Sequence, residues 1–221
     1  MTQRLIVEGN DGWAIAQLCK SNGLPNPIGF TDKTIGNFVK SAGGYDKVSK
    51  LIDAALLEAE VKNIGIVVDA NETGPAARWE AIRHRLRPKF SDNVLNAATL
   101  DTSGILLQEE GKPVVGVWIM PDNQSNGYLE HFLAELADRS DDLWKHAESS
   151  IETLTSQHFC RFDARTRQQK ALLHTWLAWQ KEPGRPFGVA MQAGYLNPTA
   201  PAARLFLDWM KRTFQLESET P

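Results

Sequence analysis

Three apolar runs in this chain are each cut off by a turn that carries an acid. Arg4-Leu5-Ile6-Val7 runs into Glu8-Gly9-Asn10-Asp11, Ile64-Gly65-Ile66-Val67-Val68 into Asp69-Ala70-Asn71-Glu72, and Val114–Met120 into Pro121-Asp122-Asn123. Short β-branched and apolar runs bounded by turn formers read as buried strands. Helical patterns follow the first two directly. Asn10 or Asp11 caps a segment whose Ala14, Ile15, Leu18 and Cys19 share one face, and Asn22-Gly23 ends it. Gly74-Pro75 opens another, with Trp79, Ile82 and Leu86 on its inner face and Pro88 at its end. Between them, Ile35–Lys40 reads as a strand, and Val48, Leu51, Ile52, Ala55, Leu56 and Ala59 keep helical spacing. Strands alternating with helices indicate the α/β class: a mostly parallel, Rossmann-like sheet with helices on its faces.

Two features add to that core. Ile105–Gln108 and Val114–Met120, joined around Gly111-Lys112, read as a β-hairpin. From Tyr128 onward the pattern is helical, with candidate helices at Tyr128–Asp138, Asp141–Thr155, Arg165–Lys181 and Ala202–Gln215. No linker composition separates them, so residues 1–125 are expected to form the α/β core and 126–221 a helical extension packed on it. Trp176, Trp179, Phe206 and Trp209 are read as core, and Cys19 as buried and inert.

A chain of 221 residues with 42% hydrophobic residues can bury a sizeable core, which excludes disorder as its main state. No apolar run approaches the ~20 residues that span a bilayer. The start, Met-Thr-Gln-Arg-Leu-Ile-Val-Glu, has no apolar signal core, and Cys19 and Cys160 are too few for a disulfide framework or a cysteine zinc site. A cytoplasmic protein without membrane partners is the expectation. The net charge of −3 argues against an electrostatic coat on nucleic acid, but not against an enzyme acting on it through metal ions.

In open α/β sheets ligands bind beyond the carboxyl ends of the strands. If the three strands are parallel neighbours, Glu8, Asp69 and Asp122 converge there, and hard cations such as Mg²⁺ want such oxygen ligands. Taken singly, Asp69 and Asp122 are polar residues ending strands, and Asp11 is a helix cap. Arg78, Arg83, His84, Arg85, Arg87 and Lys89 read as a solvated helix face, or as a basic segment that steers a phosphate backbone. Lys170 and His174, four apart, share a helix face that either looks toward the acidic rim or is simply surface. His131, His146 and His158 lack metal-ligand spacing.

Leu5-Ile6-Val7-Glu8-Gly9-Asn10-Asp11 resembles the first motif of the TOPRIM domain, and Ile66-Val67-Val68-Asp69-Ala70-Asn71-Glu72 its second, an Asp-x-Asp after a later strand. The chain is most similar to a bacterial family of TOPRIM-like proteins that carries a domain-of-unknown-function label. Further blocks extend the resemblance over most of the chain: Ala77-Arg78-Trp79-Glu80, Gly116–Asn123 with Gly127 and Glu130, and His174–Gln180. It implies Mg²⁺-assisted (or Mn²⁺-assisted) making or breaking of phosphodiester bonds, as a nuclease or nucleotidyl transferase on nucleic acid. Glu8 would act as general acid/base or metal ligand, and positions 69 and 71 would hold the metal. Asp11, in a Glu-x-x-Asp arrangement like that of one TOPRIM nuclease group, would add a ligand. By strand-end position Asp122 would add another, and by its helix face Lys170 would stabilise phosphoryl charge. Position 71 is Asn where the pattern has Asp, which keeps an oxygen and removes a charge. The alternative is a non-catalytic TOPRIM-like binding or scaffold protein, with a protein partner or a second copy. A phosphoacceptor receiver domain needs a lysine ending a late strand, whereas Lys112 sits in the hairpin turn. A dinucleotide-binding protein needs the Gly-x-Gly-x-x-Gly fingerprint, which Glu-Gly-Asn-Asp-Gly lacks.

Overall fold

The computed structural model describes residues 2–9, 12–24 and 39–216. Its centre is one five-stranded sheet in the order β2-β1-β3-β5-β4, formed by β1 (Thr2–Val7), β2 (Val39–Ser41), β3 (Val61–Asp69), β4 (Ile105–Leu107) and β5 (Val114–Met120). The first four strands in that order are parallel, and β4 runs antiparallel to β5 at the edge, so the hairpin is present. The strand expected at Ile35–Lys40 is observed only from Val39; residues 35–38 lie outside the described residues.

Alternation along each strand sends neighbouring side chains to opposite faces. Ile6, Ile66, Val68, Val117 and Ile119 face one core, with α2 (Tyr45–Leu57), α3 (Pro75–Leu86) and α4 (Asp92–Ala97). Leu5, Val7, Val67, Trp118 and Met120 face the other, with α1 (Gly12–Ser21) and the C-terminal helices. Those are α5 (Leu129–Ala134), α6 (Asp142–Thr155), α7 (Ala164–Ala178), α8 (Phe187–Gln192) and α9 (Pro201–Phe214). The expected helix Tyr128–Asp138 is therefore shorter. The chain leaves α5 through turn bonds, Leu136 N–H to Leu133 O and Ala137 N–H to Ala134 O. The short helices α4 and α8 carry too few turns for a periodic signal and were not expected.

The last helix lies on the sheet backbone itself. Gly65 and Gly116 face each other across β3 and β5, and a Cβ on Gly116 would stand 2.0 Å from Thr213 Oγ1. Asn63 Nδ2 donates to the Thr213 carbonyl at 2.9 Å in the same buried seam. Trp118 then packs edge-on to Phe206, with ring centroids 5.3 Å apart, and Trp209 Nε1 donates to Ile105 O. Phe206, Trp209 and Trp176 are buried. Trp179 is not: it is 41% exposed and lies against His146, because it caps the end of α7 where the helix leaves the core. No helix among the described residues is long and apolar enough to cross a membrane.

Candidate functional site

The ends of β1 and β3 come together because the strands pair in parallel with Val7 opposite Val67. Glu8 is then one step past its strand, and Asp69 closes the next. Glu8 Oε2 accepts the Asp69 backbone N–H at 3.1 Å. Asp69 Oδ1 accepts the Leu129 N–H at 3.0 Å, at the first turn of α5. Asn71 takes a left-handed conformation (φ 52°), which Asn tolerates better than most residues, and its N–H donates to Gly127 O at 2.9 Å. Its side-chain amide hydrogen-bonds to the Glu8 carboxylate.

These residues line a cleft of about 350 Å³ together with Tyr128, Glu130, Arg167 and Lys170. Burial is the main force on Glu8 and Asp69. It raises Glu8 above the usual carboxylate range, against hydrogen bonds from Asp69 and Asn71 and the charge of Arg78. It pushes Asp69 up to about 7, helped by the nearby charges of Glu8 and Glu130 and opposed by the Leu129 N–H and Arg78. The far wall is basic. Lys170 Nζ pairs with the buried Glu130 at 2.5 Å, and Arg167, one helical turn earlier on α7, opens on the same cleft.

The expected site residues divide clearly. Glu8, Asp69, Asn71 and Lys170 line one cleft. Asp11 lies outside the described residues. Asp122 lines a separate cavity beside Trp118, Phe132 and Leu205, and its oxygens serve its own turn, accepting from Gln124 N, Ser125 N and Ser125 Oγ at 2.7 to 2.9 Å. Partial burial would raise its pKa, but those hydrogen bonds bring it below the usual value. Asn123 causes the diversion: its Oδ1 accepts the Ile119 N–H at 2.7 Å and folds the chain back off the end of β5.

Sequence spacing did not assign Glu130, Arg167 or Tyr128 a role. Arg167 was readable as the i−3 partner of Lys170; Glu130 and Tyr128 come into range only when α5 docks on Asp69. Arg78 also departs from the rest of its basic segment. Arg83, Arg85 and Arg87 pair with Glu80 or Asp53 on the surface, as a solvated face does. Arg78 instead stacks on Tyr45, 3.9 Å from the ring centroid, and its charge reaches both cleft acids. His174 packs on Phe187. Cys19 is buried, and its thiol is pushed up to about 12 by desolvation.

The chain matches a family model described as a protein of unknown function, DUF3226, over residues 2–215. It belongs to that family. The matched region takes in every cleft residue named above, so the DUF3226 unit includes the C-terminal helices that supply Arg167 and Lys170. No curated protein and no solved structure gives a significant match.

Proposed function

We propose that the cleft carries Mg²⁺-dependent phosphodiester chemistry of the TOPRIM type, as a nuclease or nucleotidyl transferase. The observation that supports it is one juxtaposition: two desolvated carboxylates on adjacent parallel strand ends, facing an arginine and a lysine on α7. The donor set fits a hard cation held in an open site. Mg²⁺ commonly uses one or two carboxylates and takes its remaining ligands from water and substrate phosphate. Glu8 and Asp69 would hold it, with the Asn71 carbonyl as a third oxygen. Among the described residues no group of three or more His, Cys, Asp or Glu is placed to hold a metal ion, so water and substrate phosphate would have to complete its shell.

A bound cation supplies neutralisation of charge on a phosphoryl oxygen and a more acidic water. The chain's own residues do the rest. Arg167 and Lys170 orient and screen a phosphate on the far wall. Glu8, raised by burial, is placed to take or return a proton. The Asp69–Leu129 hydrogen bond ties α5 to the strand end and fixes the shape of the cleft.

One observation favours a second reading, a non-catalytic binding or scaffold protein. The Asn71 amide already gives Glu8 a neutral donor where the TOPRIM pattern has an aspartate that would demand a cation. Incubation of the full chain with DNA and RNA oligonucleotides, single-stranded and duplex, in Mg²⁺ and Mn²⁺ tests both. The first reading expects metal-dependent strand cleavage or joining that falls by about 10²-fold or more in Glu8→Ala and Asp69→Ala. No metal-dependent product on any substrate, with no calorimetric binding of Mn²⁺, leaves the second.

A further inference from the structure

At the other end of the sheet, the structure carries a second polar cavity of opposite character. It measures about 460 Å³ and lies where β3 begins, under the turn that joins β4 to β5. Lys62, Lys89 and Lys112 line it. They arrive from three separate places: the second residue of β3, the segment after α3, and the hairpin turn. Glu58 is the one carboxylate in the lining, and Arg4 holds it at 2.6 Å. None of the three lysines makes an ion pair with any described residue.

We infer that this cavity is a binding site for a small oligophosphate, such as the phosphate chain of a nucleoside triphosphate. Three ammonium groups gathered around one concavity repel one another, and in a chain of net charge −3 nothing general to its composition collects them there. An anion with several charged oxygens removes that repulsion, and each lysine can meet it as a point charge with rotatable donors. The volume lies in the range of small-molecule sites, ~300–1,000 Å³, and exceeds what a single phosphate needs. The site is separate from the acidic cleft. Lys62 and Asp69 stand seven residues apart on one strand, or about 23 Å at the usual rise. The inference therefore holds or fails independently of phosphodiester chemistry at the other end.

Calorimetry of the metal-free full chain with inorganic tripolyphosphate tests it, at low and at physiological salt. The wild type is expected to bind one equivalent saturably, and more weakly as salt rises. Each single Lys→Gln change should weaken binding on the order of fivefold, the factor for one screened charge contact. The triple variant K62Q/K89Q/K112Q should bind nothing measurable, and the triple Lys→Arg variant should keep binding, which separates lost charge from disturbed folding. A nucleoside triphosphate run in parallel identifies the source: tighter binding than tripolyphosphate means a nucleotide, equal binding means the phosphate chain alone. Absence of saturable binding overturns the inference. So does equal binding by the wild type and the triple Gln variant, since the anion would then sit at Arg167 and Lys170.

Discussion

Glu8 and Asp69 are joined by a hydrogen bond in which the acid ending one strand accepts the backbone N–H of the acid ending its neighbour, at 3.1 Å. The bond fixes the Glu8 carboxylate on the end of β3, and the Leu129 N–H fixes the Asp69 carboxylate beside it. It also keeps two like charges close in a partly desolvated place, which is unfavourable for the folded protein unless a proton or a cation intervenes.

That cost fixes the sign of a pH dependence. Asp69 goes from about 3.8 unfolded to about 7 folded, chiefly by burial and then by the charges of Glu8 and Glu130. The folded state thus binds more protons than the unfolded state between those values. Stability from this group is full below pH 4 and is lost as pH rises to about 7. Asp69→Asn keeps an oxygen for the Leu129 N–H and deletes the charge. In metal-free buffer at pH 8 it should stabilise the protein by roughly 1–3 kcal/mol, with the gain shrinking toward pH 4. Urea denaturation across that range checks it; a gain that does not vary with pH would show that Asp69 is not charged at a cost.

A second expectation concerns the seam under α9. Gly116→Ala places a methyl group 2.0 Å from Thr213 Oγ1 and 2.6 Å from its Cγ2, on a side chain that is fully buried. Overpacking of this severity should cost about 3 kcal/mol. Thr213→Ala in the same chain should return part of it, since its remaining Cβ would still lie 2.9 Å away. A double-mutant cycle in chemical denaturation reads the coupling directly, and additive losses would mean that the helix sits elsewhere.

The parallel core and the hairpin were legible because their signals are local: apolar runs of strand length, turn residues between them, and a 3.6-residue period at Val48–Ala55. The Glu8–Asp69 pairing was legible for the same reason, since strand ends and parallel order place both acids together. Asp122 looked equivalent by that logic. Its fate depends on Asn123, whose side chain bonds back to Ile119 and turns the chain aside, and nothing in the spacing shows such a bond. Glu130 and Arg167 were hidden differently. They are long-range contributions: Glu130 and Arg167 reach the cleft beside Asp69 only once α5 and α7 pack on each other and α5 packs on β5. Trp179 was misjudged because a periodic pattern does not show where a helix parts from its core.

The Glu130–Lys170 contact couples α5 to α7 across the cleft. Glu130 is 7% exposed, so Lys170→Met leaves a largely buried carboxylate without its partner at 2.5 Å. With the lysine itself partly solvated, the loss should be modest, about 1–2 kcal/mol. Adding Glu130→Gln removes the stranded charge and should recover most of it. Thermal melts of the two single variants and the double variant check this, and equal melting of all four proteins would mean that the pair contributes nothing to stability.

On the proposed reading, position 71 sets how the acidic pair would meet a cation. Asn71 has a left-handed backbone that Asp also tolerates, so Asn71→Asp should fold with the same Gly127 contact. The change has two opposed electrostatic effects. Without metal it removes the amide donor from Glu8 and adds a third charge to a crowded site, so the variant should be less stable than wild type above pH 7. With metal the same charge becomes a ligand, and Mg²⁺ needs such charge to give up part of its hydration shell. Mn²⁺ affinity by calorimetry at pH 8 should therefore be weak in the wild type, about tenfold stronger in Asn71→Asp, and absent in Asp69→Ala. Tight binding by the wild type would mean that Glu8 and Asp69 already suffice. If Asn71→Asp leaves affinity unchanged while Asp69→Ala abolishes it, residue 71 acts only through its amide on Glu8, and the cation is held on the Asp69 side of the pair.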